Sequence, residues 1–447
     1  MRRSLVLPLA AIVLLVSDIV PASAVTIEEV KSPGGITAWL VEDHSIPVVS
    51  ANIVFRGGAA LVPDDKAGLA YFVTDMLDEG AGDLDSTAYQ SKLEDLSAAL
   101  DFDTEQDLMT VRMRALSANL QPTFDLLRLA LTAPRFDSGP IERMRNEVLA
   151  ALARDQRQPD AIGQRLWWKT ALAGHPYARS IRGTPDSVAH ITPDDMRALV
   201  RARFAKDVLV VGVVGDITPG TLAPLLDQTF GALPDHAAPD TLAEAEVHRA
   251  HDVMVSDLQI PQSMVIFGQQ GIKRDDPDWF AALIVLNVLS GGSLTSRVAL
   301  EVREERGLAY SISAGLEPLR HAGLILGEVG SQNAHVAQTI DLIRHEWGRM
   351  HDDGPSAKEL ANAKTYLTGS FALSLNSTGR IAAVLVAIQL DHLGIDYLDR
   401  RNALIEKVSL ADAKRVAKRL LDPDGLFIVV VGTPTNLSGA QHVIPGG

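Results

Sequence analysis

Apolar and polar positions change rhythm along this chain, and the changes separate strands from helices. Residues 25–41 read as a strand, a turn at Pro33-Gly34-Gly35 and a second strand. Residues 48–55 (VVSANIVF) alternate well enough for another strand, closed by Gly57-Gly58. Helical spacing then takes over: 68–79, 87–100 and 116–131 predict helices, with a hairpin over 102–116 between the last two. Further helices are expected at 141–156 and 194–204, the latter leading into a valine-rich strand at 208–214. Strands in runs and helices in runs predict an α+β architecture, not a doubly wound parallel sheet.

The pattern recurs. ITPDDMRALVRARFAKDVLVVGVVGD from Ile191 and VSLADAKRVAKRLLDPDGLFIVVVGT from Val408 carry the same sequence of features, 217 positions apart. In both, Thr or Ser is followed by Asp, a basic-apolar helix and a valine-rich strand. Asp64-Asp65 and Asp275-Asp276 each precede an apolar helix (69–77 and 280–289), 211 positions apart. Two nearly equal offsets indicate one duplicated domain of about 210 residues, not a short-period solenoid. The Pro-, Ala- and acid-rich stretch 233–251 lies between the copies. The predicted organisation is a first domain at 25–232, a linker at 233–251, a second domain at 252–438 and a tail at 439–447.

The chain has 447 residues, 47% of them hydrophobic, a net charge of −15 and no cysteine. That length can bury substantial cores in several domains. The first 24 residues, MRRSLVLPLAAIVLLVSDIVPASA, place Arg2-Arg3 before an apolar stretch at 5–16 and end in Ala22-Ser23-Ala24. This is the pattern of a signal peptide cleaved after Ala24, so a periplasmic or secreted protein is expected. The apolar run is short and contains Pro8, and no later stretch has 18 consecutive apolar residues, so no membrane span is expected after cleavage. Cleavage removes Arg2, Arg3 and Asp18 and moves the net charge from −15 to −16. So acidic a chain is a poor candidate for nucleic acid or anionic lipid. Without cysteine, disulfides, thiolate nucleophiles and Cys-ligated metals are excluded. A P-loop, a dinucleotide-binding glycine pattern, a GxSxG elbow and an H-x-x-x-H pair are all missing from the sequence.

Two stretches carry candidate chemistry. Residues 291–313, GGSLTSRVALEVREERGLAYSIS, open with a Gly-Gly turn and run through a charged helical segment at 297–306. They break at Gly307 and re-enter as a strand at 308–313. Arg303 and Tyr310 flank that break, seven residues apart. A helix end meeting a strand start can point a fixed cation and a phenolic hydroxyl into one space. On residue types alone, EVREER reads first as a solvated helix face and Tyr310 as part of a sheet. The second stretch, GLAYFVTDMLDEG at 68–80, sets Tyr71, Asp75 and Asp78 at i, i+4 and i+7 beside an apolar face. Two ligands at i and i+4 with an acid between them stack on one metal in helical zinc peptidases.

This second stretch resembles the inverted zinc motif of the M16 peptidases, the pitrilysin and mitochondrial processing peptidase family, whose helix reads roughly G-L-A-H-F-x-E-H-M-L. Gly68, Leu69, Ala70, Phe72, Met76 and Leu77 match. Tyr71 stands in place of the first His, Thr74 in place of the catalytic Glu and Asp75 in place of the second His. The family's third ligand, a Glu, would fall near Ala151 in RNEVLAALARD. The resemblance covers essentially the whole mature chain, including the GG-x-L-x-SR turn at 291–297 and the RGLAYS run at 306–311. It implies two homologous halves of the M16, LuxS-like metalloenzyme fold, each an antiparallel-rich sheet covered by helices. It also implies catalytic roles for Arg303 and Tyr310, which match the family's Arg and Tyr that bind the scissile carbonyl and its developing oxyanion.

For this chain the resemblance implies a subunit that binds no zinc of its own. Zinc is expected in a partner M16 subunit with an intact H-x-x-E-H helix, the heterodimer enclosing a chamber in which peptides or unfolded segments are cleaved. The isolated chain is expected to be inactive. The competing expectation is a catalytically inactive M16-like peptide-binding or scaffolding protein of the cell envelope. A metal rebuilt on Asp75, Asp78 and Glu79 would need oxygen ligands that helical geometry aims poorly.

Overall fold

The computed structural model describes residues 26–248, 252–291 and 295–443. The expected signal peptide, residues 249–251 of the expected linker, residues 292–294 of the Gly-Gly turn and residues 444–447 of the tail lie outside the described residues. The first half contains β1 (Glu28–Lys31), β2 (Thr37–Glu42), β3 (Val48–Arg56) and a small hairpin of β4 (Gly80–Ala81) and β5 (Leu84–Asp85). It continues with β6 (Ala99–Thr104), β7 (Leu108–Leu116) and β8 (Leu209–Gly215). The second half contains β9 (Val253–Asp257), β10 (Gln262–Gln270), β11 (Ala309–Pro318), β12 (Gly323–Gln332), β13 (Phe427–Gly432) and β14 (Gln441–Val443).

Two six-stranded sheets result, ordered β1-β2-β8-β3-β7-β6 and β11-β12-β10-β13-β9-β14. Read from the β6 and β11 edges, they share one plan. In each the first three pairings across the sheet are antiparallel, and the next pair, β8 with β2 or β13 with β9, is parallel. The sixth strand differs: β1 pairs antiparallel from the start of the chain, whereas β14 pairs parallel from its end. The expected duplication and the α+β architecture are thus visible strand by strand.

The repeated segments show why. In the helices Pro193–Arg203 and Leu410–Leu420, a hydroxyl (Thr192, Ser409) caps the N3 amide. The N3 carboxylate (Asp195, Asp412) returns to the N-cap amide. That reciprocal box fixes where each helix starts. Each then feeds a central strand, β8 or β13, and all six residues of β13 are buried, as a strand covered on both faces must be.

Each half also lends a helix to the other's sheet. Pro159–Ala171 lies on β10 and β13 of the second half, and Thr378–Leu390 lies on β3 and β8 of the first. Buried Trp167 donates from Nε1 to the Phe427 carbonyl at 3.2 Å, and Gln389 donates from Nε2 to the Val211 carbonyl at 3.1 Å. Glycine permits the close approach: a Cβ on Gly212 would stand 2.6 Å from the Ala382 carbonyl oxygen. The pattern along the chain singles out neither helix.

Three expected helices are shorter or different. The one over 68–79 ends at Thr74, because the amides of Met76 and Leu77 bond three residues back and tighten the winding into turns. The one over 87–100 stops at Asp95, where Ser97 takes a positive φ of 50° before β6 begins. The charged segment over 297–306 is a short α-turn, Arg297–Ala299, continuing as a π-turn, Leu300–Glu304. Among the described residues no helix is long and apolar enough to cross a membrane.

Candidate functional site

The helix Leu69–Thr74 starts at Gly68, where φ is +96° and a Cβ would stand 2.7 Å from the Arg182 carbonyl oxygen, so glycine is required. Leu69, Ala70, Phe72 and Val73 are buried in the core of the first half. Thr74 is buried too, and its hydroxyl donates to the Tyr71 carbonyl at 2.9 Å, with the Thr104 hydroxyl 3.1 Å away. This hydroxyl is used up inside the helix.

Tyr71 lines a cavity of about 620 Å³ between the halves, and Asp75 accepts a hydrogen bond from Tyr71. Tyr71, Asp155 and Arg182 line it on one side, and Glu317 to Leu319 at the end of β11 line it on another. Arg182 lies over the Tyr71 ring, 5.6 Å from its centroid, and donates to Asp155 at 2.9 Å. Burial pushes the Asp75 carboxyl up to about 6, against the opposing hydrogen bond from Tyr71. Asp78 is also raised by burial and accepts from Gln90 at 3.1 Å, while Glu79 accepts from Ser86 at 2.6 Å and pairs with Arg143.

Arg303 and Tyr310 occupy a different place, at the β11 edge of the second half. The π-turn that carries Arg303 closes through the Glu305 amide on the Leu300 carbonyl at 2.9 Å and buries Val302. Gly307, at φ +62°, then reverses the chain into β11. Pairing of β11 with β12 jumps between Ala309–Ser331 and Ile312–Val329, so one strand advances three residues against two on its partner. That β-bulge re-aims Tyr310 out of the sheet, to 82% exposure. The Arg303 guanidinium stacks on its ring. Behind them Arg297 grips Glu359 through two bonds of 2.7 and 2.9 Å and donates to the Gly354 carbonyl at 3.0 Å. The structure therefore brings Arg303 and Tyr310 together, and neither lines the cavity beside Tyr71.

A family model described as the Peptidase M16 inactive domain matches residues 190–367, and one described as Insulinase (Peptidase family M16) matches residues 37–185. The chain belongs to the M16 peptidase family. It is 25% identical over 350 residues to the "Non-peptidase homolog YmxG" of Helicobacter pylori, covering 78% of this chain and 80% of that one. It is 23% identical over 402 residues to the mitochondrial-processing peptidase subunit beta of Lentinula edodes, covering 87% and 86%. The crystal structure of a peptidase M16 inactive domain from Pseudomonas fluorescens matches with a TM-score of 0.86 at 25% identity, covering 93% of this chain and 99% of that one. Other relatives carry the name zinc protease.

As an M16 chain it is of the inactive type. The four positions that matter carry a phenol, a hydroxyl turned into its own helix, a carboxyl held by that phenol, and, at Ala151, a methyl group. A catalytic zinc site needs three nitrogen or oxygen donors converging with a fourth position open, and this set does not converge. Asp78 and Glu79 are engaged elsewhere, and no three His, Cys, Asp or Glu side chains among the described residues could hold a metal. Zinc does not fit here. Arg182 and Asp155, which fill out the altered site, carry no motif of their own. The sequence clue was only that Tyr71 and Asp75, at i and i+4, leave a cation to be supplied from outside the helix.

Proposed function

We propose that this chain is the non-zinc subunit of an exported heterodimeric M16 peptidase. It would lend Arg303 and Tyr310 to the metal site of a partner subunit with an intact H-x-x-E-H helix. One observation carries the reading: the stacked pair stands out from the second half, with Tyr310 at 82% exposure, and does not line the chain's own cavity. A phenol braced by a cation and turned outward is presented to another surface. The names of the relatives, a non-peptidase homolog and a processing-peptidase subunit, support a role beside a catalytic chain. The signal-like first 24 residues support export to the periplasm or beyond.

In the assembled enzyme a peptide or unfolded segment would add as a strand to a sheet edge, read by its main chain more than its side chains. Lewis-acid activation of water and carbonyl is chemistry the partner's zinc supplies when bound. Arg303 would hold the carbonyl oxygen by charge, and the Tyr310 hydroxyl would donate to it as negative charge develops. The test is titration of this chain into the zinc-bearing partner. Peptide hydrolysis should rise and saturate at a fixed stoichiometry, with the isolated chain inactive. A partner equally active alone would make this chain a peptide-binding or scaffolding subunit instead.

A further inference from the structure

We infer that the seam between the two halves holds a binding site for a small oxyanion, either free phosphate or the carboxylate end of a peptide, built around Arg56. The site is a second cavity, of about 330 Å³, which adjoins the one beside Tyr71 at Pro318 and Leu319. Four chain segments from both halves meet there. Arg56 ends β3, Arg274 follows β10, Arg320 sits in the turn between β11 and β12, and Asp391 follows the exchanged helix Thr378–Leu390.

Most charges in this cavity already have partners. Arg274 is fixed: it lies 4.6 Å from the Trp279 ring centroid, donates to the Tyr397 hydroxyl at 2.9 Å and faces Asp391 at 3.6 Å. Lys273 is held by Glu244 at 2.9 Å and Arg320 by Asp240 at 3.3 Å. Asp275 stands exposed at the rim. Arg56 is different. Its guanidinium has five donors. Among the described residues it forms no ion pair and a single long hydrogen bond, 3.4 Å, to the Leu390 carbonyl. Burial and the neighbouring charge of Arg320 disfavour its protonated form, against the opposing pull of Asp391.

Arg56 shares this space with Arg320, whose one contact to Asp240 is 3.3 Å, and with Asp391, which faces Arg274 at 3.6 Å. Most of the Arg56 donors are left without an acceptor among the described residues. An oxyanion would satisfy the Arg56 fork, because guanidinium matches carboxylate and phosphate geometry bidentately, and Arg320 would add its charge. Arg56 belongs to the first half, and Arg274 and Arg320 to the second, so a bound anion would also brace the seam. Binding to the folded state alone raises the unfolding midpoint with a saturating dependence on ligand.

The test follows thermal unfolding and calorimetric titration of the full chain at constant ionic strength. One arm uses inorganic phosphate, and the other a short peptide with a free C-terminus beside its C-terminal amide. Saturating stabilisation is expected from phosphate or from the free-acid peptide, and none from the amide. The arm that responds names the source of the anion. Arg56→Gln and Arg320→Gln should each weaken binding about tenfold or more, with Arg56→Lys in between. Arg112→Gln, which removes a surface pair with Asp103, should leave it unchanged. No saturable binding in either arm, or equal binding by wild type and a folded Arg56→Gln, overturns the assignment.

Discussion

The guanidinium carbon of Arg303 lies 5.2 Å from the centroid of the Tyr310 ring, across a π-turn and a β-bulge. Each of those irregularities adds a residue to an otherwise regular element, and together they turn two side chains seven positions apart toward one point. Irregular backbone of this kind concentrates at functional sites.

Tyr310→Phe in the assembled heterodimer keeps the ring and its stacking and removes one donor. Losing an oxyanion donor costs on the order of 10²–10³ in rate, or roughly 3–4 kcal/mol. The bond forms in the transition state, so kcat should fall far more than KM rises. Arg303→Ala should be worse in both. Arg306→Ala is the control, since Arg306 is occupied by Glu301 and Glu305. A kcat within about a factor of two of wild type in an intact complex would make the pair structural.

Arg297→Lys should loosen the platform under Arg303. The arginine is 13% exposed and forked onto Glu359, whose carboxyl it holds down to about 2. Lysine is a point charge and cannot reproduce the fork. A stability loss of about 1–2 kcal/mol in urea unfolding is expected. In the heterodimer kcat should drop although Arg297 touches no substrate. Unchanged stability and kcat would mean that the π-turn holds itself.

Chelator-free isolated chain should carry no stoichiometric zinc. Tyr71, Thr74, Asp75 and Ala151 offer no convergent donor set, and Arg182 brings a positive charge toward the space a metal would need. Elemental analysis finding about one zinc per chain would revive a site on Asp75, Asp78 and Glu79.

Much of this was legible from the sequence, and the exceptions share a cause. The duplication showed because capping residues and buried strands are local signals, repeated at Thr192 and Ser409 and in β8 and β13. The altered metal helix and the Arg303–Tyr310 pair showed through resemblance, since residue types alone favoured a solvated helix face. The exchanged helices did not show, because what defines them is the sheet they cover, and that lies in the other half of the chain. The helix end at Thr74 was equally hidden, since Met76 and Leu77 continue the apolar face in sequence while the backbone has already tightened into turns.

The exchange itself is open to test at Gly212. An alanine methyl there would meet the Ala382 carbonyl at 2.6 Å and Leu385 Cβ at 3.0 Å, forcing the borrowed helix off β8. Overpacking of this kind costs about 1–3 kcal/mol. Gly220→Ala, with nothing within 4 Å, should cost little. Equal unfolding midpoints for the two variants would mean that the seam yields freely.

The last expectation concerns Asp75, whose carboxyl burial pushes up to about 6. The unfolded chain loses this proton near its ordinary value of about 3.9, whereas the folded chain keeps it until about 6. The folded state therefore binds more protons across that window, and stability falls as pH rises through it. Above the window the fold carries an ionised, largely desolvated carboxylate. Asp75→Asn removes the charge and leaves an acceptor for the Tyr71 hydroxyl. The variant should match wild type near pH 4 and exceed it at pH 8 by on the order of 2 kcal/mol, after allowing for solvent screening. Urea unfolding at both pH values reads this directly. A difference that stays flat between about pH 4 and 8 would show that Arg182 compensates the ionised Asp75 in full.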